Sequence, residues 1–296
     1  MCAHIAVVMR KVILSSILFA GVSSASRGAD AVSDRITVAV RGKGPDVVLI
    51  PGLACSNAVW EATAKHLEGR YRLHLVQVAG FAAAPAGGNA NGAIVQPTAD
   101  AIKTYIESQK LKSPSVIGHS LGGVMGMLLA AQHPNDVGRL MIVDALPFFG
   151  VLMGATDSTN AAPIGAMMRD QILNGSKEDY AQSEKMFLRS MVKSPEGLQA
   201  ATDWAIASDK SVVGRTFYEV MTMDLRPKLS EIKTAVTILY AWDASSGYPQ
   251  GATDSLYQKS FASLPNKKMF RVDGSLHFIM FDQPEVFASQ VDAFLK

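Results

Sequence analysis

The sequence predicts an α/β fold on a mostly parallel central sheet, and three observations carry that expectation. Short β-branched and apolar runs alternate with stretches of helical periodicity, the pattern of strands joined by helical crossovers. One such run ends in Gly118-His119-Ser120-Leu121-Gly122, a serine flanked by glycines two positions to either side, where an apolar helical stretch begins. The composition, 48% hydrophobic and 18% charged over 296 residues without repeats, suits one large domain with a real core and excludes a disordered or fibrous chain.

The first residues form a separate unit. Arg10 and Lys11 precede the apolar run Val12 to Val22, and Ser23-Ser24-Ala25 supplies a small-x-small cleavage pattern, so residues 1–25 read as an export signal and residues 26–296 as the domain. Met9 serves equally well as the start, because it puts both basic residues directly after the initiator. The apolar run falls short of the ~20 residues that span a bilayer, which predicts cleavage, a periplasmic or secreted product and no stable membrane insertion afterwards. Arg10 and Lys11 leave with the signal, so the formal charge of +2 falls to zero. A neutral chain without a basic patch argues against nucleic acid and favours a neutral or apolar small molecule as partner. Of the two cysteines, Cys2 lies in the signal, leaving Cys55 alone, without a disulfide partner in the mature chain and best suited to packing.

Strands are expected at Arg35 to Val40, Asp46 to Ile50, Arg72 to Val78, Ser115 to His119, Arg139 to Val143, Val236 to Trp242 and Lys268 to Val272. Helical spacing covers Val59 to Leu67, Thr98 to Gln109, Leu121 to Gln132 and Pro284 to Leu295. Between these, at about residues 148–229, the alternation stops and a helical segment carries half of the 14 methionines: Met153, Met167, Met168, Met186, Met191, Met221 and Met223. An insertion there is placed to act as a lid over the carboxyl ends of the strands, where open α/β sheets bind ligands. Flexible methionine side chains would either adapt to apolar ligands or pack the insertion onto the body.

A serine hydroxyl needs a base to take its proton and an acid to orient that base. Of six histidines, His277 sits in a Gly-containing loop between the last strand and last helix, from which it can reach over the sheet to Ser120. His4 lies in the signal, His66 on an early helix, His74 within a strand and His133 at a helix end, while strand alternation turns His119 away from Ser120. Asp243, after the strand ending in Trp242, is the expected acid, giving the chain order Ser120, Asp243, His277. Asp144, at the end of the strand after the elbow helix, is its rival. Asp273 and Asp282 suit local turn or capping roles. The oxyanion hole requires two backbone N–H donors, expected from Leu121 and, in the Ile50-Pro51-Gly52-Leu53 loop, from Leu53. Trp60 either walls the acyl pocket or belongs to the core.

These motifs, with Phe281-Asp282-Gln283-Pro284-Glu285 leading into the last helix, make the chain from about Ile36 onward similar to the α/β-hydrolases, of the lid-bearing, single-domain esterase and lipase-like type. Pro51-Gly52 replaces the family's usual His-Gly at the oxyanion loop, and Val76-Gln77-Val78-Ala79-Gly80-Phe81 lacks its usual Asp. The resemblance implies a serine mechanism without metal or cofactor: an exported carboxylic-ester hydrolase forming an acyl-enzyme on small or medium, fairly apolar esters. A serine at the elbow argues against dehalogenases and epoxide hydrolases, which need a carboxylate there. An aminopeptidase or lactonase with the same triad is the alternative among enzymes, and an inactive hydrolase fold used for binding is the alternative outside them. Short to medium acyl chains are the expected preference.

Overall fold

A computed structural model describes residues 33–296. The export signal expected over residues 1–25 lies outside the described residues.

Seven strands form one sheet: β1 (Ile36–Gly42), β2 (Asp46–Ile50), β3 (Arg72–Val78), β4 (Ser115–His119), β5 (Arg139–Val143), β6 (Ala235–Trp242) and β7 (Lys267–Asp273). Their order across the sheet is β1-β3-β2-β4-β5-β6-β7. Only β1 runs antiparallel, with Ile36 opposite Val78, and all other pairs are parallel. The middle strands are short apolar runs because helices cover both faces of the sheet, and Val47 to Ile50 and Leu140 to Val143 are fully buried. Register places Ile50 beside Gly118 and His119 beside Val143, so the ends of β2, β4 and β5 meet at one point on the rim of the sheet.

The helices are α1 (Glu61–Leu67), α2 (Val95–Ser108), α3 (Leu121–Gln132), α4 (Ser158–Asn174), α5 (Lys177–Arg189), α6 (Pro195–Ala207), α7 (Lys210–Thr222), α8 (Gln250–Ser260), α9 (Ile279–Asp282) and α10 (Pro284–Leu295). α3 is apolar on every side, with Leu121 to Ala130 all buried, as a helix in the middle of the core must be. Trp60 is fully buried and stacked on Phe287 with ring centroids 6.2 Å apart, which settles it as core.

Besides shifts of one or two residues at strand ends, three differences from the sequence reading stand out. The first helix is preceded by a 3-10 turn, Asn57–Trp60, started by Ser56, whose hydroxyl accepts the Ala58 N–H. α2 begins at Val95, ahead of Pro97, because a distant carboxylate replaces the missing local cap: Glu219 of α7 accepts the N–H groups of Ile94 and Val95 at 2.7–3.1 Å. α8 follows Pro249 where no helix was expected, and its Tyr257 packs under β6 against Tyr240, centroids 4.4 Å apart.

Helices α4 to α7 occupy the interval between β5 and β6, where the insertion was expected. Arg215 of α7 donates to the carbonyls of Asn89, Ala90 and Gly92, so α7 is tied to the body at both the β3–α2 loop and the start of α2.

Candidate active site

Ser120 sits between β4 and α3 with φ 53° and ψ −118°, a conformation that L side chains rarely adopt and that costs of order 1–3 kcal/mol. The two flanking glycines make it attainable. A Cβ on Gly118 would stand 2.1 Å from the Gly122 carbonyl oxygen, and one on Gly122 would stand 2.2 Å from the Ile50 carbonyl oxygen. The turn is held by the Ser120 N–H donating to Val143 at 2.9 Å and by the N–H groups of Gly123 and Val124 donating to the Ser120 carbonyl. Ser120 is therefore presented half-exposed at the floor of a cavity.

The His277 loop is positioned equally firmly. Gly274, with φ 76°, donates its N–H to Trp242; Leu276 N–H donates to Asp282, and Phe278 N–H donates to Met191 of the insertion. Asp282 thus plays the local backbone role expected of it, and it also accepts the N–H groups of Lys193 and Ser194. His277 Nδ1 lies 2.7 Å from Asp144 Oδ2. A carboxylate only accepts, so Nδ1 carries a proton, and in the neutral ring that leaves the Nε2 lone pair free.

Asp243 does not hold the histidine. Its carboxylate meets Lys193 Nζ at 2.5 Å and accepts from the Ser245 hydroxyl and N–H at 2.5 and 2.8 Å, capping the short turn Ala244–Ser246. The Lys193 ammonium, with Ser245, lowers its pKa to about 2. The physical reason lies in the strand end: Asp144 has φ 46°, which turns its side chain across the sheet, and Oδ1 is fixed there by Ala241 N–H at 2.8 Å and Tyr257 hydroxyl at 2.9 Å. Burial and the Asp144 charge push the Tyr257 phenol well above its ordinary pKa, so it remains a donor.

His119 belongs to the site, though not as a base. Its ring lies 4.6 Å from that of His277, and Nε2–H donates to the His277 carbonyl at 3.1 Å. Burial, and next the neighbouring His277, hold it well below the ordinary histidine pKa, so it is neutral. A Cβ on Gly52 would stand 3.3 Å from Ser120 Cβ, which puts the Gly52-Leu53 loop directly beside the serine. Leu53 and Leu121 both line the cavity at Ser120. As the first residue of α3, Leu121 has no carbonyl four residues earlier within the helix to take its N–H. Cys55 is buried and its thiol is pushed up to about 12 by desolvation, which fits packing rather than nucleophilic chemistry.

The cavity over these residues measures about 1420 Å³. Its walls are mainly apolar, with Leu146, Val151, Phe217, Val220 and Leu256 among them. Leu152, Met153 and Phe187 line it while staying exposed, which marks its rim. Of the seven methionines in the insertion, Met153, Met168 and Met191 face the cavity, Met221 and Met223 pack on the core, and Met167 and Met186 are exposed on the outside. The methionines thus divide between the two roles, lining a ligand surface and packing the segment onto the body. Among the described residues no cluster of three metal-ligating side chains occurs, and no helix is long and apolar enough to cross a membrane.

A sequence model described as the alpha/beta hydrolase family matches residues 47–290, from β2 into α10. The chain belongs to the alpha/beta hydrolase family. Within it, this hydrolase is 28% identical over 278 residues to the pimeloyl-[acyl-carrier protein] methyl ester esterase of Nitrosomonas europaea, covering 87% of the present chain and 98% of that relative. Its fold matches an esterase from Exiguobacterium antarcticum with a TM-score of 0.71 at 20% identity, over 88% of this chain and 95% of that one. It also matches the enol-lactonase from Burkholderia xenovorans LB400 with a TM-score of 0.72 at 15% identity, over 88% and 96% of the two chains. Against the sequence expectations, the hydrolase brings Ser120, His277, Leu53 and Leu121 to one cavity, and Asp144 rather than Asp243 to the histidine. Tyr257, Lys193 and the scaffold role of His119 were not anticipated. For Tyr257 the available signal was Pro249 followed by Ala252 and Leu256 at helical spacing.

Proposed function

We propose that this hydrolase cleaves carboxylic esters through an acyl-enzyme. Ser120 Oγ attacks the acyl carbon while His277 Nε2 takes its proton, and Asp144 holds the ring in the reactive tautomer and stabilises the imidazolium. The oxyanion is met by the N–H groups of Leu53 and Leu121, each such donor contributing roughly 3 kcal/mol to the transition state. The proton then passes from His277 to the leaving alkoxide, the alcohol departs, and water activated by the same imidazole releases the acid.

The observation that carries this reading is the 2.7 Å bond from His277 to Asp144 at the cavity that exposes the strained Ser120. The ester-cleaving name of the Nitrosomonas relative supports the bond type. We read α4 to α7 as the lid. At about 1420 Å³ the cavity exceeds the ~300–1,000 Å³ of ordinary small-ligand pockets, which moves the expected optimum from short toward medium and longer acyl chains. Export through residues 1–25 is part of the proposal, and cell fractionation checks it: activity confined to the cytoplasm would overturn it.

A fluorophosphonate probe tests the chemistry. One adduct on Ser120, absent from Ser120→Ala, is expected, and a folded protein that takes no label would sink the reading. Nitrophenyl esters of graded length, assayed beside lactones and aminoacyl amides, then place the substrate; turnover confined to the amides would overturn the ester assignment.

A further inference from the structure

The inward face of α5 runs Tyr180, Glu184, Leu188, one residue per helical turn. Tyr180 and Leu188 are buried, and the Tyr180 hydroxyl is already engaged with the Ala205 carbonyl at 3.1 Å. Between them the chain places a carboxylate, and Glu178, Asp179, Gln182 and Ser183 of the same helix also line the cavity. Glu184 lines the cavity and is close enough to Cys55, two residues past Leu53, to act electrostatically on its thiol. Its side chain makes no hydrogen bond or ion pair with any described residue. Among the described residues, no lysine or arginine lines the cavity at all. The basic residues on its own helix, Lys177, Lys185 and Arg189, are exposed and do not line the cavity. Glu184 is half-buried, and desolvation pushes its carboxyl up to about 7.

A half-buried carboxylate kept without a protein partner on a cavity wall is costly unless a ligand supplies the missing donor. We infer that Glu184 forms a subsite for a protonated amine on the substrate, so that this hydrolase prefers acyl groups carrying an ammonium at the end distant from the ester. The inference rests on the proposed ester cleavage at Ser120. Glu184 is a specificity residue that touches the substrate tail and takes no part in the bond-breaking steps. An anionic tail would face Glu184 with no counter-charge on the surrounding wall and would be rejected.

Two measurements on the full domain test this. In the first, kcat/KM is compared for the nitrophenyl esters of ω-aminohexanoate and of heptanoate, which differ in an ammonium replacing a methyl group. The wild type is expected to favour the ammonium ester, and Glu184→Gln to lower that preference about 30-fold, as for a buried charge pair losing one member. Glu184→Asp should keep part of it. Equal use of both esters by the wild type, or a preference unchanged in Glu184→Gln, would overturn the subsite. In the second, calorimetry compares hexylammonium with hexanol on Ser120→Ala, with and without Glu184→Gln. Tighter binding of the ammonium that depends on Glu184 supports the subsite, and absence of that dependence overturns it. Because the second measurement needs no turnover, a protein that hydrolyses neither ester but still selects hexylammonium would refute the proposed reaction and leave the subsite standing.

Discussion

Asp144 and Asp243 end neighbouring parallel strands, are equally sheltered from solvent, and lie on the same cavity, yet one faces an imidazole and the other an ammonium. Asp144 takes its donors from the body: β6 through Ala241, α8 through Tyr257, and the His277 loop. Asp243 takes its own from the insertion and from the turn that it caps. The difference teaches that a carboxylate's role here is set less by its place at a strand end than by which cation or ring the rest of the chain delivers to it. Lys193, which also donates to the Gly274 carbonyl at 3.1 Å, occupies Asp243 and at the same time braces the loop that carries the histidine.

Exchanging the two acids breaks the comparison most directly. Asp144→Asn should lower kcat about 10⁴-fold with little change in KM, because the amide favours the wrong histidine tautomer; Asp243→Asn should cost far less. Steady-state kinetics on one ester decides it, and the reverse ranking would return the acid role to Asp243. Tyr257→Phe removes one donor to the Asp144 carboxylate and should slow turnover by roughly tenfold, in line with about 1.5 kcal/mol for a hydrogen bond to a charged group. A variant with unaltered kcat would show that Ala241 and His277 suffice to hold the acid.

Smaller effects test the other side. Coupling between Lys193 and Asp243, measured by a Lys193→Met and Asp243→Asn double-mutant cycle in thermal denaturation, should fall in the ~0.2–1 kcal/mol range of partly exposed pairs. The Asp243 pKa is lowered on folding from the ordinary 3.8 to about 2, so its contribution to stability is complete above the unfolded value and disappears as pH falls toward the folded one. The melting temperature of the wild type should therefore converge on that of Asp243→Asn between pH 4 and pH 2, and a constant difference across that window would contradict the ion pair.

Much of this arrangement was legible in the sequence because it depends on local rules. The β-branched runs gave the strands, and the glycines around Ser120 announced a turn that only glycine permits. His277 stood out as the histidine in a loop after the last strand. The identity of the acid was not legible in the same way. Both aspartates follow apolar strands, and the deciding facts, the positive φ of Asp144 and the arrival of Lys193 from fifty residues upstream, are tertiary. α8 was hidden by Ser-Ser-Gly-Tyr-Pro, whose turn residues mask the helix that follows. Glu184 was hidden for the opposite reason: on a helix rich in charges, one more glutamate reads as solvated surface.

The caps that Glu219 lends to α2 have a consequence for how such enzymes diversify. The segment between β5 and β6 looks like a cassette that could be exchanged between relatives to change what is cleaved. Yet Glu219 and Arg215 make α7 a structural creditor of the body, since replacing it would leave the first amides of α2 and three loop carbonyls without their partners. Successful chimeras should therefore keep α7, and with it the Met191 to Ser194 segment that holds the His277 loop, together with their native body.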